Sequence, residues 1–384
     1  MLNTIELTGL DGSNPLAFLA AIGTLRLADQ ACSSQCRMKW IAKDRWLPLL
    51  EVPFSQDQLL ATLFPMLNRR GDDSAMEPAL KAQKAYEKLR KKARNAAEEV
   101  KKRRLPRSER DLAIQMEVAP KQQEAEAARS EWLALLEAAV PAPFLSLGKS
   151  LAVSKEEFGQ FTDRVSERLH DQMIALGGTK PAPSQRREDA DFAVAFGCEA
   201  CLLKGGRIVP TEFQLINGSG QQFFLETFRI LMEELTLDKL KRALFDPWTY
   251  KDPKRSFRWN PQEDRRYALG WADPSDEQVT TEHGANLLAA MALPLFPSIP
   301  TSRGLSTTGF VDRKGETFWT WPIWEASLSV DLVRTLLALE QLRHDSPPRE
   351  YLRRMGITEI YRVRKIEVGK PPNSKLNLTQ AESV

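Results

Sequence analysis

Residues 77–104 read EPALKAQKAYEKLRKKARNAAEEVKKRR, and the rest of the chain divides around them. Ala82, Tyr86, Leu89, Ala93, Ala96 and Val100 recur at alternating steps of four and three, the spacing of a coiled-coil seam. The other positions are highly charged, and the run ends in Lys101, Lys102, Arg103 and Arg104. Pro106 and then Pro120–Lys121 interrupt the return. Residues 124–140 (EAEAARSEWLALLEAAV) resume as a second helix, with Trp132, Leu135, Leu136 and Ala139 on one side. Residues 77–140 are therefore expected to form a charged helical hairpin or arm. At about 1.5 Å per residue its first helix would be roughly 35 Å long. A solvated hairpin whose lysines only keep it soluble is the simpler reading of such charge, and a nucleic-acid contact is the sharper one.

The arm separates an N-terminal α/β part (1–76) from a main body (141–345) and a C-terminal helix, strand and tail (346–384). Residues 2–9 alternate weakly, as a strand does. Asn14 and Pro15 then mark a helix start, with Leu16, Leu19, Ile22, Leu25 and Leu27 spread over nearly every side. Residues 36–42 and 46–52 read as strands and 55–67 as a short helix, so this opening is a core unit rather than a site. In the body, an amphipathic helix is expected over 155–176, a buried helix over 189–203, a strand over 208–216 and a long amphipathic helix over 222–245. A short apolar helix (284–296) precedes a Pro/Ser/Thr/Gly loop with Arg303. Strands 306–312 and 316–324 flank a turn at Lys314–Gly315. Helices at 331–344 and 348–356, a strand at 357–368 and a disordered polar tail of about fourteen residues follow. The class is α+β.

Net charge is +3, but residues 81–110 hold thirteen Lys/Arg against four Asp/Glu, which leaves −6 elsewhere. Such asymmetry marks a local electrostatic footprint. No apolar run reaches the roughly 18 residues that span a bilayer. The first residues lack a basic n-region, so a cytoplasmic location without membrane contact is expected. Cys32, Cys36, Cys198 and Cys201 form two distant pairs. A four-thiolate zinc site is one reading of them, and small buried hydrophobes in helices the favoured one.

Three irregular polar segments stand out in the body. Residues 245–271 (FDPWTYKDPKRSFRWNPQEDRRYALGW) carry Trp248, Trp259 and Trp271 among Lys and Arg. Prolines 247, 253 and 261 exclude a regular helix or central strand. Cations and rings together suit an anionic polymer, whereas a loop pinned to a core by its aromatics is the plainer alternative. Here the tryptophans, Tyr250 and Tyr267 are expected to fix the loop. Lys254, Arg255 and Arg258 are expected to face nucleic acid, and Arg265 and Arg266 to pair with Glu263 and Asp264. The second segment, Asn217-Gly218-Ser219-Gly220-Gln221-Gln222, lies between a strand and a helix start. Backbone amides there can meet an anion, and glutamines read base edges, although no phosphate-loop consensus is present and a plain turn fits as well. The third is the loop around Arg303.

Catalytic signatures are missing from this pattern. His170, His283 and His344 are isolated in sequence and read as satisfied surface or helix-end residues. None of them sits in HExxH, HxH or HD, no GxSxG or catalytic cysteine context occurs, and no cofactor is implied. A non-enzyme is expected.

Several stretches in order resemble one family: LDGSNPLAFLAAIGTLRLAD (10–29), the arm with EWLALLEAAVPAPFLSLGK (131–149), FQLINGSGQQFF (213–224) and FDPWTY (245–250). SFRWNPQEDRRYALGWADPS (256–275), HGANLLAAMALPLFPSIP (283–300) and FWTWPIWE (318–325) continue the series. Together they are similar to the large (Cas8-type) subunit of type I CRISPR effector complexes. The closest group is the compact type I-U/I-G-like one with its Csb/Csx-class proteins. The likeness implies a non-catalytic subunit that binds double-stranded target DNA beside the guide-paired segment, recognises a short motif there and helps open the duplex. It implies CRISPR guide RNA, backbone and guide-processing subunits, and a transiently recruited helicase-nuclease as partners. By chemistry, Asn217, Ser219, Gln221 and Gln222 would serve as glycine loop and glutamine wedge. Lys254, Arg255 and Arg258, or Arg303, would be the basic finger, and Lys101–Arg104 would contact phosphates. The alternatives are a scaffold touching only guide RNA and neighbouring subunits, and a metal-dependent nuclease.

Overall fold

The computed structural model describes residues 2–32, 36–71, 73–140, 142–175, 187–218, 222–263, 280–368 and 375–384. The fold is α+β. The chain opens with β1 (Asn3–Glu6), α1 (Pro15–Ala31), β2 (Arg37–Ala42), β3 (Trp46–Val52) and α2 (Gln56–Leu67). Helices α3 (Asp73–Lys102), α4 (Arg107–Ala113) and α5 (Ala119–Ala139) follow. Next come α6 (Lys155–Ala175), α7 (Glu188–Phe196), β4 (Gly197–Leu202), β5 (Ile208–Pro210), α8 (Phe224–Glu234) and α9 (Leu237–Phe245). Short strands β6 (Asp252–Pro253) and β7 (Thr280–Thr281) precede α10 (His283–Ala290), β8 (Ser298–Thr301), β9 (Gly304–Thr307), β10 (Phe310–Arg313) and β11 (Glu316–Trp324). Helices α11 (Val330–Leu337) and α12 (Arg349–Arg354) and strands β12 (Ile357–Val368), β13 (Lys375–Leu378) and β14 (Glu382–Ser383) end the chain. Among the described residues no helix is long and apolar enough to cross a membrane.

Two units are present, Met1–Arg69 with Lys149–Val384, and Arg70–Gly148. In the first, the Asn14 side chain accepts the Ala17 amide at 3.1 Å and Pro15 opens α1, as the sequence indicates. Every residue from Pro15 to Ala28 is buried, so this stretch has no solvent face. A Cβ on Gly23 would lie 1.9 Å from the Leu288 carbonyl oxygen, so glycine lets α1 and α10 cross at backbone contact. Arg26, on the same buried helix, donates to the Met291 carbonyl at 3.2 Å and lies over the Phe192 ring. Burial pulls its pKa down to about 10 despite Glu188 and Asp191 nearby.

Antiparallel β1-β3-β2 and the larger antiparallel sheet β10-β11-β12-β13, with β14 also on β12, supply the strands around α1. Phe18 of α1 meets Trp40, Trp319, Trp321 and Trp324 at ring centroid distances of 5.7–6.3 Å. All five are fully buried. The ring contacts run on from Trp319 to Phe213, and from Phe213 to Trp259, so the aromatic core reaches directly into the 249–262 loop.

In the second unit the seam is a buried seam. Tyr86, Ala93 and Val100 are buried, and Ala82, Leu89 and Ala96 partly so. Tyr86 stacks on Trp132 at 5.4 Å and 17°. Pro120 does not break the return helix. A π-helical turn (Ile114–Val118) precedes it, and the Ala119 amide bonds back to the Ile114 carbonyl. The wider turn relieves the clash of the Pro120 ring with the carbonyl four residues earlier.

Several expectations are corrected. Residues 189–203 are not one helix: Gly197 ends α7, and Cys198 and Cys201 lie in strand β4. The helix expected over 222–245 is two helices, because Leu235 is extended and Thr236 caps α9 by accepting the Lys239 amide. The expected strand over 208–216 ends at Pro210. The loop around Arg303 is a β8–β9 hairpin, with Thr301 opposite Gly304. In the tail, Lys375–Leu378 and Glu382–Ser383 are strands on β12 rather than disordered.

Candidate nucleic-acid interface

The 249–262 loop is held from below by buried charge. Glu282, fully buried, accepts the Thr249 and Tyr250 amides on Oε1 at 2.8 and 2.7 Å, and faces Arg242 Nε through Oε2 at 3.3 Å. Asp252 Oδ2 takes Arg242 Nη2 and the His283 amide, each at 2.9 Å. Asn286 Oδ1 accepts the Phe257 amide at 3.0 Å, and its Nδ2 donates to Thr281 Oγ1 and the Glu282 carbonyl. Burial works against the Arg242 charge, but Asp252 and Glu282 more than offset it and its pKa stands above the ordinary value. Such paired, hydrogen-bonded carboxylates satisfy loop amides that no regular strand or helix serves.

This clamp holds an uncommon backbone. Tyr250, Lys254, Arg255 and Arg258 have φ of 50°, 56°, 58° and 64°. Non-glycine residues in this region cost about 1 kcal/mol or more each. Lys254 and Arg255 are successive, the pattern of a tight turn that Asn-Gly normally fills. Lys254 is exposed and Arg255 half-exposed, and neither has an ion-pair partner among the described residues. Two of the described tryptophans are tied into the body through their indole N–H groups. Trp259 is fully buried, stacks on Phe257 at 4.6 Å and donates Nε1 to the Phe213 carbonyl at 2.9 Å, while Trp248 donates to the Ala243 carbonyl at 3.0 Å. Residues 264–279, with Arg265, Arg266, Tyr267 and Trp271, lie outside the described residues, as do Ser219 and Gln221.

His283 is a helix-end residue that is buried rather than on the surface. Lys239 Nζ lies 3.1 Å from its Nδ1, and its Nε2 is 3.3 Å from the Pro253 and Lys254 carbonyls. Donation from the ammonium to Nδ1 and from Nε2–H to the carbonyls requires the neutral ring. Burial, with Lys239 adding to it and Asp252 opposing, sets its pKa below the ordinary value. The unfolded chain then takes up this proton first. The contribution is complete above about pH 6.5 and is lost as pH falls through that value toward the folded pKa. Wild type should therefore lose stability relative to His283→Gln between pH 7 and 5 in thermal melts. Parallel curves for the two proteins would refute the neutral-ring clamp.

The other residues expected to touch nucleic acid fall on separate segments. Asn217 and Phe223 form a β-bridge, the Gly218 amide donates to the Gln222 carbonyl at 2.7 Å, and Ser150 Oγ donates to Asn217 Oδ1 at 3.1 Å. Helix α8 starts after this turn, at Phe224, so Gln222 is not at the helix start. Its Leu225 and Glu226 amides donate to the Lys149 carbonyl at 3.0 and 3.1 Å, so these two helix-start amides are already satisfied. Arg303 is exposed at the tip of the β8–β9 hairpin, where Gly304 takes φ 117°.

In the second unit, Arg103 makes a two-pronged pair with Glu117 at 2.7 and 2.9 Å, and Lys102 pairs with Glu99 at 2.8 Å. Lys101 and Arg104 are exposed. Because half of this cluster already has anionic partners, replacing Lys101, Lys102, Arg103 and Arg104 with alanine should weaken duplex binding only about tenfold at 0.15 M salt. Equal loss on unrelated sequences, by fluorescence anisotropy, is the expected mark, and an unchanged salt slope would make the segment a protein-contact strut.

Cys32 and Cys36 bring their Sγ atoms to 2.6 Å, with Cys36 buried. Among the described residues no group of His, Cys, Asp and Glu is arranged to hold a metal ion. Sequence reasoning missed Arg242, Asp252, Glu282 and Asn286. Their one sequence signal is a glutamate and an asparagine flanking or inside an otherwise apolar segment, TEHGANLLAAM. Comparison with family models, curated proteins and solved structures finds no match for the chain.

Proposed function

We propose that this chain is a non-catalytic, DNA-binding large subunit of an RNA-guided type I CRISPR effector complex. It would hold target duplex beside the guide-paired segment, help open it and support recruitment of a helicase-nuclease. The effector assignment rests on the sequence resemblance. The nucleic-acid part is carried by one observation: Lys254, exposed, and Arg255, half-exposed, occupy successive left-handed positions in a bend beside a buried carboxylate clamp. Observed strain at exposed cations, over-determined by the structure beneath, points to a role for those side chains.

Affinity under this reading comes mostly from phosphate contacts and falls steeply with salt. The test is affinity purification of the tagged chain from its own cells. Guide RNA with backbone subunits, and motif-dependent duplex binding by the purified assembly, are the expected results. Recovery of the chain alone would overturn the assignment, and binding of guide RNA and subunits without any DNA would favour the scaffold reading. Cleavage of labelled DNA by the chain with Mg²⁺ or Mn²⁺ would favour the nuclease reading.

A further inference from the structure

A cleft of about 370 Å³ opens in the body beside the basic loop. Four pieces of chain line it. The β1–α1 connection brings Asp11 and Asn14, the β2–β3 turn brings Arg45, the loop and its approach bring Trp248, Tyr250 and Gln262, and the segment between β13 and β14 brings Gln380 and Ala381. Backbone bonds fix the first three of these pieces to one another: the Gly9 amide donates to the Leu244 carbonyl and the Gly12 amide to the Trp46 carbonyl, each at 2.8 Å. Trp248 and Tyr250 meet edge to face, 6.2 Å apart at 89°.

Two of the lining side chains, Gln262 and Arg45, keep hydrogen-bond donors for a ligand. Asp11 accepts the Ser13 amide and hydroxyl at 2.9 and 2.8 Å. Asn14 spends Oδ1 on the Ala17 amide and Nδ2 on Asn260. Gln262 Oε1 takes the Tyr250 hydroxyl at 2.5 Å, which leaves its amide N–H groups to donate. Arg45 gives Nη2 to the Thr8 carbonyl at 2.6 Å, and its Nε is buried without a hydrogen-bond partner. A buried donor with no acceptor is unfavourable until an acceptor arrives. Two aromatic rings beside unmet guanidinium and amide donors complement a flat heterocycle rich in carbonyl and ring-nitrogen acceptors.

The cleft is also wired to the basic turn. Asn14 Nδ2 donates to Asn260 Oδ1 at 3.0 Å, and Asn260 Nδ2 donates to the Tyr250 hydroxyl at 3.1 Å. The chain that passes from Tyr250 to Asn260 carries Lys254, Arg255 and Arg258. We infer that the cleft receives a single unpaired nucleobase with an acceptor edge, guanine above all, from a strand whose phosphates lie on that turn. This rests on the nucleic-acid reading above and adds a base-reading pocket to it.

Two arms test it on the full chain. In the first, dGMP and dAMP are titrated while tryptophan fluorescence is followed. Saturable change with dGMP is expected, with dAMP at least tenfold weaker, and at least tenfold loss of dGMP affinity in Arg45→Lys and in Gln262→Ala. The second substitution removes an exposed side chain, so its effect is separable from misfolding. No saturable response, or an unchanged one in Gln262→Ala, overturns the inference. In the second arm, a single strand with one fluorescent guanine analogue is followed by anisotropy and by analogue quenching. Binding with quenching supports the inference. Binding without quenching overturns it and leaves the nucleic-acid reading standing. No strand binding overturns that reading, and dGMP binding alone would then make the cleft a free-nucleotide site and overturn the strand source.

Discussion

Glu282→Ala is expected to destabilise the body by about 3–5 kcal/mol, the range for breaking a buried charged pair by removing one partner. The carboxylate is fully buried and serves three donors: the Thr249 and Tyr250 amides and Arg242 Nε. Truncation strands all three. Arg242 keeps Asp252 at 2.9 Å, so the guanidinium does not lose its charge balance entirely. The two amides have no such substitute. Glu282→Gln should cost less, because the amide oxygen still accepts both N–H groups while its NH₂ faces the guanidinium. Urea unfolding checks the order wild type, Gln, Ala. A loss under about 1 kcal/mol for Ala would mean that the loop amides find water, and that the carboxylate does not set the loop.

That clamp was the least legible part of the chain, and the reason is geometric. Arg242, Asp252, Glu282 and Asn286 come from a helix, a two-residue strand and both sides of a helix start, and their spacing carries no period. Legible elements were those whose signal is local. Asn14–Pro15 marks a cap, alternating apolar residues mark β2 and β3, and the 4-3-4-3-4 spacing of Ala82–Val100 marks a seam. The β8–β9 hairpin looked like a loop because Ser, Thr and Pro dominate it, and its stability comes from Thr307 and Ser298 bonding beneath it at 2.9 Å. Strands β13 and β14 are polar and gain order by pairing with the edge of a long strand, a tertiary effect that composition does not record. Among the candidate site residues, the cations at 254, 255 and 258 were singled out from charge and ring content alone. Their left-handed backbone was not, because nothing in Lys-Arg announces a turn that Asn-Gly normally fills.

The same mismatch gives the sharpest functional test. Replacing Lys254 with Asn and Arg255 with Gly installs the residues that this backbone prefers. If the turn were only structural, the double variant would gain stability and lose nothing. We expect a gain of about 1–2 kcal/mol from relief of two left-handed non-glycine residues, part of it offset by the entropy that glycine adds to the unfolded chain. Under the proposed function we also expect duplex affinity to fall about 30-fold at 0.15 M salt, with a salt slope shallower by about two, because the two phosphate contacts that this reading assigns to Lys254 and Arg255 would disappear. Thermal melts and anisotropy on the same preparation read both quantities. Opposite signs in stability and binding cannot arise from damage to the fold, which lowers both. A more stable variant that binds duplex as wild type does would assign the two cations to a structural turn and remove the observation on which DNA binding by this loop rests.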